Sequence, residues 1–227
     1  MRPRICVSVM PRSVEEGTAF MERAAKKGAD LVEIRLDRLN PSSSLKAFSA
    51  KKDIPTIATN RQPSQGGEFR GNEEERFGML SSAAEAGFDY IDLEESIEGP
   101  DLRIENIRRS GPKLIISHHD LRSTPSISEL EKILLRISKF KPDIYKIVTT
   151  ATSIQDNLVT LSFLQKASAD IKMVCFAMGE HGKVSRVVSP IFGAHFTMAS
   201  METGIETAPG QLTIDDLKTI YGRLGLG

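Results

Sequence analysis

Eight short apolar runs, each about the length of a strand buried on both faces, alternate along this chain with segments of helical period, and that alternation limits the fold more than any other feature. The runs cover residues 5–9, 31–36, 55–59, 88–93, 113–117, 144–148, 172–177 and 195–199. The intervening segments carry their own start signals. Ser126 and Glu129 have the spacing of a capping box, in which the serine oxygen and the glutamate satisfy N–H groups that the first helical turn leaves unpaired. Ile127, Leu130, Ile133, Leu134 and Ile137 then form one apolar stripe. Ser13 with Glu16, Asn72 with Glu75, and Thr213 with Asp216 predict three more helix starts, the last followed by Ile214, Leu217, Ile220, Tyr221 and Leu224. A further helix is expected from Ile154 through Leu158, Leu161 and Leu164.

Buried strands that alternate with amphipathic helices imply parallel pairing through right-handed crossovers, and eight such units in 227 residues predict one (β/α)8 TIM-type barrel occupying residues 1–227 as a single domain. An open doubly wound sheet is the competitor. That fold needs a glycine-rich turn after its first strand, but Val9-Met10-Pro11-Arg12-Ser13 contains no glycine, so a nucleotide is not expected.

Thirty basic against thirty acidic residues give no net charge, which removes the electrostatic reason to expect a nucleic acid or an anionic membrane as partner. No apolar run approaches the roughly 20 residues of a membrane helix, and the N-terminal segment has no signal-peptide pattern, so a cytoplasmic protein with a small-molecule partner is expected. Cys6 and Cys175 lie far apart within apolar runs and read as buried reduced thiols. The short run after the last helix, ending at Gly227, leaves no room expected for a fused second enzyme.

In such a barrel the active site gathers at the C-terminal ends of the strands, and here those ends are polar. They supply Ser8, Glu33 and Arg35 with Asp37, Asn60 and Arg61, Asp92 and Glu94, Ser117 through Asp120, Lys146, Arg186 in the loop after strand seven, and Thr207 through Gln211 after strand eight. Lys146 is the most informative, because strand alternation points it the same way as Ile144 and Val148. An amine there is paired, snorkelled or neutral. Lowering its pKa by about three pH units through desolvation would cost on the order of 4 kcal/mol and give a nucleophile for carbonyl carbon. The alternatives are a lysine on the barrel exterior, or one paired to a strand carboxylate such as Glu94.

His118 and His119 are adjacent on a strand and face opposite ways, so only one can serve the barrel axis; Asp120 is placed to orient a neighbouring imidazole. No ligand set for a metal is completed, and His181 and His195 read as structural. Arg35, Arg61 and Arg186, with Lys146, predict a cationic mouth suited to a compact anion such as a carboxylate. A phosphate is less suited, because the loop after strand seven carries Glu180. Gln65-Gly66-Gly67-Glu68, in the loop after strand three, predicts a tight turn or a lid.

These residues resemble type I 3-dehydroquinate dehydratases from end to end. The resemblance runs through Glu33-Ile34-Arg35, Arg61 with Gly66-Gly67-Glu68, Asp92-Leu93-Glu94, Ser117-His118-His119-Asp120, Tyr145-Lys146-Ile147, Gly182-Lys183-Val184-Ser185-Arg186 and Ala208-Pro209-Gly210-Gln211. It implies a barrel that dehydrates 3-dehydroquinate to 3-dehydroshikimate in the shikimate pathway, by syn elimination, with no metal or organic cofactor, and as a homodimer. Lys146 would form an imine with the ring ketone and His119 would act as base and then acid. Arg186 would hold the carboxylate, while Ser8, Glu33, Arg35, Arg61, Thr207 and Gln211 would read the ring hydroxyls and close the site. Two positions depart from the family pattern: Gln65 stands where a glutamate is usual, keeping the hydrogen-bonding shape without the charge, and Thr207 stands where serine is common. Gln65 is expected to orient His119. The competing readings are another lysine-imine barrel, such as an aldolase, and a barrel that only binds a small carboxylate.

Overall fold

The computed structural model describes residues 2–50 and 52–227; Met1, at the head of the N-terminal segment, and Lys51 lie outside them. Eight strands alternate with helices: β1 (Ile5–Val9), α1 (Val14–Lys26), β2 (Leu31–Arg35), α2 (Ala47–Ala50), β3 (Thr56–Thr59), α3 (Glu73–Glu85), β4 (Tyr90–Glu94), α4 (Pro100–Arg109), β5 (Lys113–His119), α5 (Ile127–Ser138), β6 (Ile144–Thr150), α6 (Asp156–Ala167), β7 (Met173–Met178), α7 (Lys183–Val188), β8 (Thr197–Ser200) and α8 (Ile214–Arg223). The paired strands are all parallel and run in the order β7-β6-β5-β4-β3-β2-β1-β8. The seam between β7 and β8 is bridged where the His195 amide donates to the Met173 carbonyl at 2.7 Å. The expected (β/α)8 barrel is therefore the fold.

Strand alternation divides the apolar residues into two cores. Val7, Val32, Ile34, Ile91, Leu93 and Ile147 point outward and pack under the helices. Cys6, Leu31, Ile57, Ile115, Ile144, Val174 and Phe196 point inward and fill the barrel below its mouth. Above that plug the inward positions turn polar, with Ser8 in register with Glu33 and Ser117 in register with Lys146. Both thiols are buried and free of a disulfide.

The helix starts are those the sequence signals. Asn72–Glu75, Ser126–Glu129 and Thr213–Asp216 form reciprocal capping boxes. Ser13 caps α1, but the Glu16 carboxylate accepts from the Arg12 amide at 2.6 Å instead of reaching back to Ser13. One expected stripe fails. Ile154 precedes α6 and Leu158 is 67% exposed, so Leu161, Phe163 and Leu164 carry that helix's packing. Leu224 ends α8 as an exposed cap for the same reason: the helix has only one apolar face to bury. Strands β5 and β6 run past their expected ends to His119 and Thr150, which carries His119 to the rim on a strand. Among the described residues no helix is long and apolar enough to cross a membrane.

Candidate active site

Lys146 faces the barrel interior, not the helical layer, and is 4% exposed. Its Nζ donates to Asp92 Oδ2 at 2.8 Å and to Glu33 Oε1 at 3.2 Å. Of the states left open for it, the structure has the paired one and not the neutral one. Burial pushes the ammonium down, but Asp92 and Glu33 more than offset it and hold the group above its ordinary value. Nor is the carboxylate partner Glu94, which turns to Arg61 and Arg76 instead.

Asp92, which the sequence placed among the polar strand ends without a role, is the carboxylate nearest Lys146 Nζ. It is fully buried between Lys146, Arg61 Nη2 (2.9 Å) and Ser117 Oγ, which donates to it at 2.6 Å. Burial favours its neutral form, yet the Arg61 and Lys146 cations draw its pKa down to about 2. The signal was present, because Ile91-Asp92-Leu93 buries a charge in a strand just as Tyr145-Lys146-Ile147 does. Glu33 is likewise held below its usual range: burial opposes ionisation, and Lys146 and Arg35 win. Glu33 accepts from Thr59 Oγ1 at 2.9 Å and from the Ser8 hydroxyl. Ser8 in turn accepts from Thr207 Oγ1 at 2.7 Å, and Thr207 accepts from Gln211 Nε2 at 3.1 Å. A hydrogen-bonded chain thus ties the loop after β8 to the buried lysine.

His119 faces the cavity, while His118 points to the helix layer, where its Nδ1 lies 2.6 Å from Glu95. Arg61 Nη1 lies 3.1 Å from His119 Nδ1. Because a guanidinium can only donate, the neutral ring carries its proton on Nε2. Burial, followed by the Arg61 and Lys146 cations, holds this imidazole well below its ordinary pKa. Two expected orienting contacts are different in the structure. The Asp120 carboxylate accepts from the amides of Arg122 and Ser123, as a short polar side chain at a turn does, and not from a histidine. Gln65 Oε1 accepts from the backbone amide of His119 at 3.2 Å and so reaches its main chain, not its ring.

The cationic mouth is also corrected. Arg35 is paired bidentately with Asp37, and Arg61 with Asp92 and Glu94, so their charges are largely neutralised. Among the described residues, Arg186 alone of the three has no carboxylate partner. It is 1% exposed, its guanidinium lies 4.4 Å from the Phe176 ring centroid, Nη2 donates to the Pro209 carbonyl at 3.2 Å, and Nε is buried without a partner. Burial lowers its pKa to about 9. A buried cation with an unused donor is a site prepared for an anion.

Glu33, Arg35, Arg61, His119, Lys146, Arg186, Thr207 and Gln211 line one cavity of about 290 Å³, which Gln65 and Gly66 also border. Ser8 joins it from behind, through Glu33 and Thr207. The cavity has an apolar wall of Val148, Phe176, Met178 and Met198. His181 and His195 lie outside it, His195 against Arg4. Among the described residues no group of three or more His, Cys, Asp or Glu is placed to hold a metal. The arrangement brings an ammonium held by two carboxylates, an imidazole and a guanidinium that has no carboxylate among the described residues around one cavity.

Comparison with known proteins gives one family. The model for type I 3-dehydroquinase matches residues 5–226. The 3-dehydroquinate dehydratase of Methanothermobacter thermautotrophicus is 38% identical over 226 residues, covering 99% of this chain and 98% of that protein. The chloroplastic bifunctional 3-dehydroquinate dehydratase/shikimate dehydrogenase of Arabidopsis thaliana is 37% identical, and the chain spans 37% of its length. Among solved structures, 3-dehydroquinate dehydratase from Geobacillus kaustophilus superposes with a TM-score of 0.88 at 25% identity, over 99% of this chain and 92% of that one. A dihydropteroate synthase from Yersinia pestis, at 11% identity and a TM-score of 0.65, shares the fold.

Proposed function

The chain belongs to the type I 3-dehydroquinase family, a family of hydro-lyases, and from that membership we propose that it converts 3-dehydroquinate to 3-dehydroshikimate through an imine at Lys146. The observation that carries this reading is the placement of Lys146 and His119 in the same cavity as the carboxylate-free Arg186. Arg186 takes the substrate carboxylate and turns the ring ketone toward Nζ. The small neutral fraction of Lys146 adds to the carbonyl, and the carbinolamine, taking back the proton the ammonium gave up, loses water to leave an iminium. Asp92 and Glu33, which hold the ammonium at rest, then face a cation in the same place, so little charge has to be reorganised as the imine forms.

The iminium acidifies the adjacent C–H, and His119 removes that proton to leave an enamine. At rest Arg61 occupies Nδ1 of His119, so the base is freed when Arg61 passes its N–H to a ring hydroxyl. Collapse of the enamine expels the hydroxyl, which takes the same proton back from the imidazolium and leaves as water. The two transfers occur on one face, which makes the elimination syn. Hydrolysis of the conjugated iminium returns the free amine. Lysine supplies the electron sink, so the sequence needs no metal or organic cofactor. Glu33, Arg35, Thr207 and Gln211 read the remaining hydroxyls, and Ser8 holds Glu33 and Thr207 in place.

A place in the shikimate pathway and a homodimeric assembly belong to the same proposal, and sedimentation equilibrium tests the second. The reaction is tested by ultraviolet detection of the conjugated product. Wild type should turn over, whereas Lys146→Ala and His119→Ala should each lose roughly a thousand-fold or more in kcat. Full activity in Lys146→Ala would end the imine reading, and an inert wild type would leave a carboxylate-binding barrel.

A further inference from the structure

Arg76 is a charged residue that this reaction sequence does not use. It sits on α3, on the helix side of the barrel wall, and is 1% exposed. All three of its nitrogens are engaged. Nε and Nη2 donate to the two Glu73 oxygens at 2.7 and 2.8 Å, and Nη1 donates to the Asn60 carbonyl at 2.9 Å and to Glu94 Oε2 at 2.5 Å. Glu94 is the link to the cavity. Its second oxygen, Oε1, lies 3.4 Å from Arg61 Nη1, a loose contact, whereas that same Nη1 is 3.1 Å from both Ser117 Oγ and His119 Nδ1. Arg61 is therefore shared between Glu94 on one side and the imidazole on the other. The short charge-assisted bond from Arg76 holds Glu94 back and leaves Arg61 on the imidazole.

We propose that Arg76 is a positioning residue for the reaction: by holding Glu94 it keeps Arg61 on the Nδ1 of His119 until substrate arrives. The inference rests on the reading of His119 as the group that moves the proton. Without Arg76, Glu94 is a buried carboxylate with Arg61 as its remaining charged partner, and it draws Nη1 off the ring. The charged and titratable groups around His119 are Glu33 and Arg35 from β2, Arg61 after β3, Asp92 and Glu94 from β4, His118 on its own strand, Lys146 from β6 and Arg186 from α7. Of these, only Arg61 and Glu94 are expected to move when Arg76 is replaced.

The test compares wild type, Arg76→Met and Arg76→Met/Glu94→Gln by the ¹⁵N resonances of the His119 ring at neutral pH and by the pH profile of kcat/KM. In wild type Nδ1 should read as an unprotonated, hydrogen-bonded nitrogen with the proton on Nε2. Arg76→Met should give mixed tautomers, raise the acid limb by about half a pH unit or more, and lower kcat roughly ten-fold. The double variant has no carboxylate to attract Arg61 and should return both the tautomer and the limb toward wild type. If Arg76→Met does not fold, Arg76→Lys replaces it, because the three N–H donors of an ammonium cannot make the four bonds that the guanidinium makes to Glu73, Glu94 and the Asn60 carbonyl; a smaller shift in the same direction is expected. An unchanged tautomer and acid limb in a folded variant, or a double variant no nearer wild type than the single one, overturns the proposal. Turnover by His119→Ala would instead overturn the base reading, with the ring resonances still deciding the placement of Arg61.

Discussion

Arg186 shows how much one residue can decide. Its guanidinium is buried over the Phe176 ring and, among the described residues, has no carboxylate, so the free protein carries a cost that a bound anion would relieve. Arg186→Met should raise KM for 3-dehydroquinate by roughly ten- to a hundred-fold with a smaller effect on kcat, and steady-state kinetics checks this. A variant with unchanged KM would move the carboxylate elsewhere. Gln65 permits a second test. A carboxylate in its place would still accept from the His119 amide, but would add a negative charge beside a ring whose pKa is held down by burial and cations. Gln65→Glu should therefore raise the acid limb of kcat/KM, and an identical profile would show that the position acts only through the main chain. Lys146 was legible because it breaks the apolar pattern of its strand, whereas His119 and Arg186 were singled out only through the family resemblance. The pairing of Arg35 with Asp37, and the reach of Gln65 to an amide, were not legible, since strand spacing fixes which way a side chain points but not which neighbour it meets.

The elements position these groups through close contacts between loops and strand ends. Gly67 lies against the end of β3, where an added Cβ would sit 1.9 Å from the Arg61 carbonyl oxygen. Gly210, with φ of +74°, brings the loop after β8 against the loop after β7, and a Cβ there would lie 2.3 Å from the Gly179 carbonyl oxygen. Both collisions are with backbone, so a side chain cannot simply turn aside. Gly67→Ala should displace Arg61 and lower kcat/KM roughly a hundred-fold while α3 stays folded, read by kinetics together with circular dichroism. The paired glycines signalled a turn in the sequence, and the structure gives that turn its purpose. The alternation of strands and helices was legible almost completely because buried parallel strands impose it on composition. The exposed Leu158 was misplaced because a helix on a barrel buries one face, and apolar spacing alone does not say which residues are surplus to that face.

At the scale of the whole molecule the neutral net charge conceals a buried ionic cluster running from Lys146 through Asp92, Arg61, Glu94 and Arg76 to Glu73. Such a cluster ties stability to pH. Asp92, with a folded pKa of about 2, contributes stability that is complete above its unfolded value near 4 and is lost as pH falls toward 2, on the order of 2 kcal/mol. His195, half-buried beside Arg4 and lowered to about 4, resists protonation in the folded state, so its share begins to disappear below about pH 6.5. Tm should therefore decline from about pH 6.5 downward and more steeply below pH 4, with Asp92→Asn flattening the lower part; a Tm independent of pH between 6.5 and 3 would contradict this. The central claim remains covalent: a buried amine, held charged by two carboxylates, captures the substrate ketone. Borohydride reduction during turnover of 3-dehydroquinate, followed by peptide mass mapping, measures it most directly. The predicted result is inactivation with one reduced substrate adduct on Lys146; continued turnover with no adduct, or an adduct on another lysine, would contradict it.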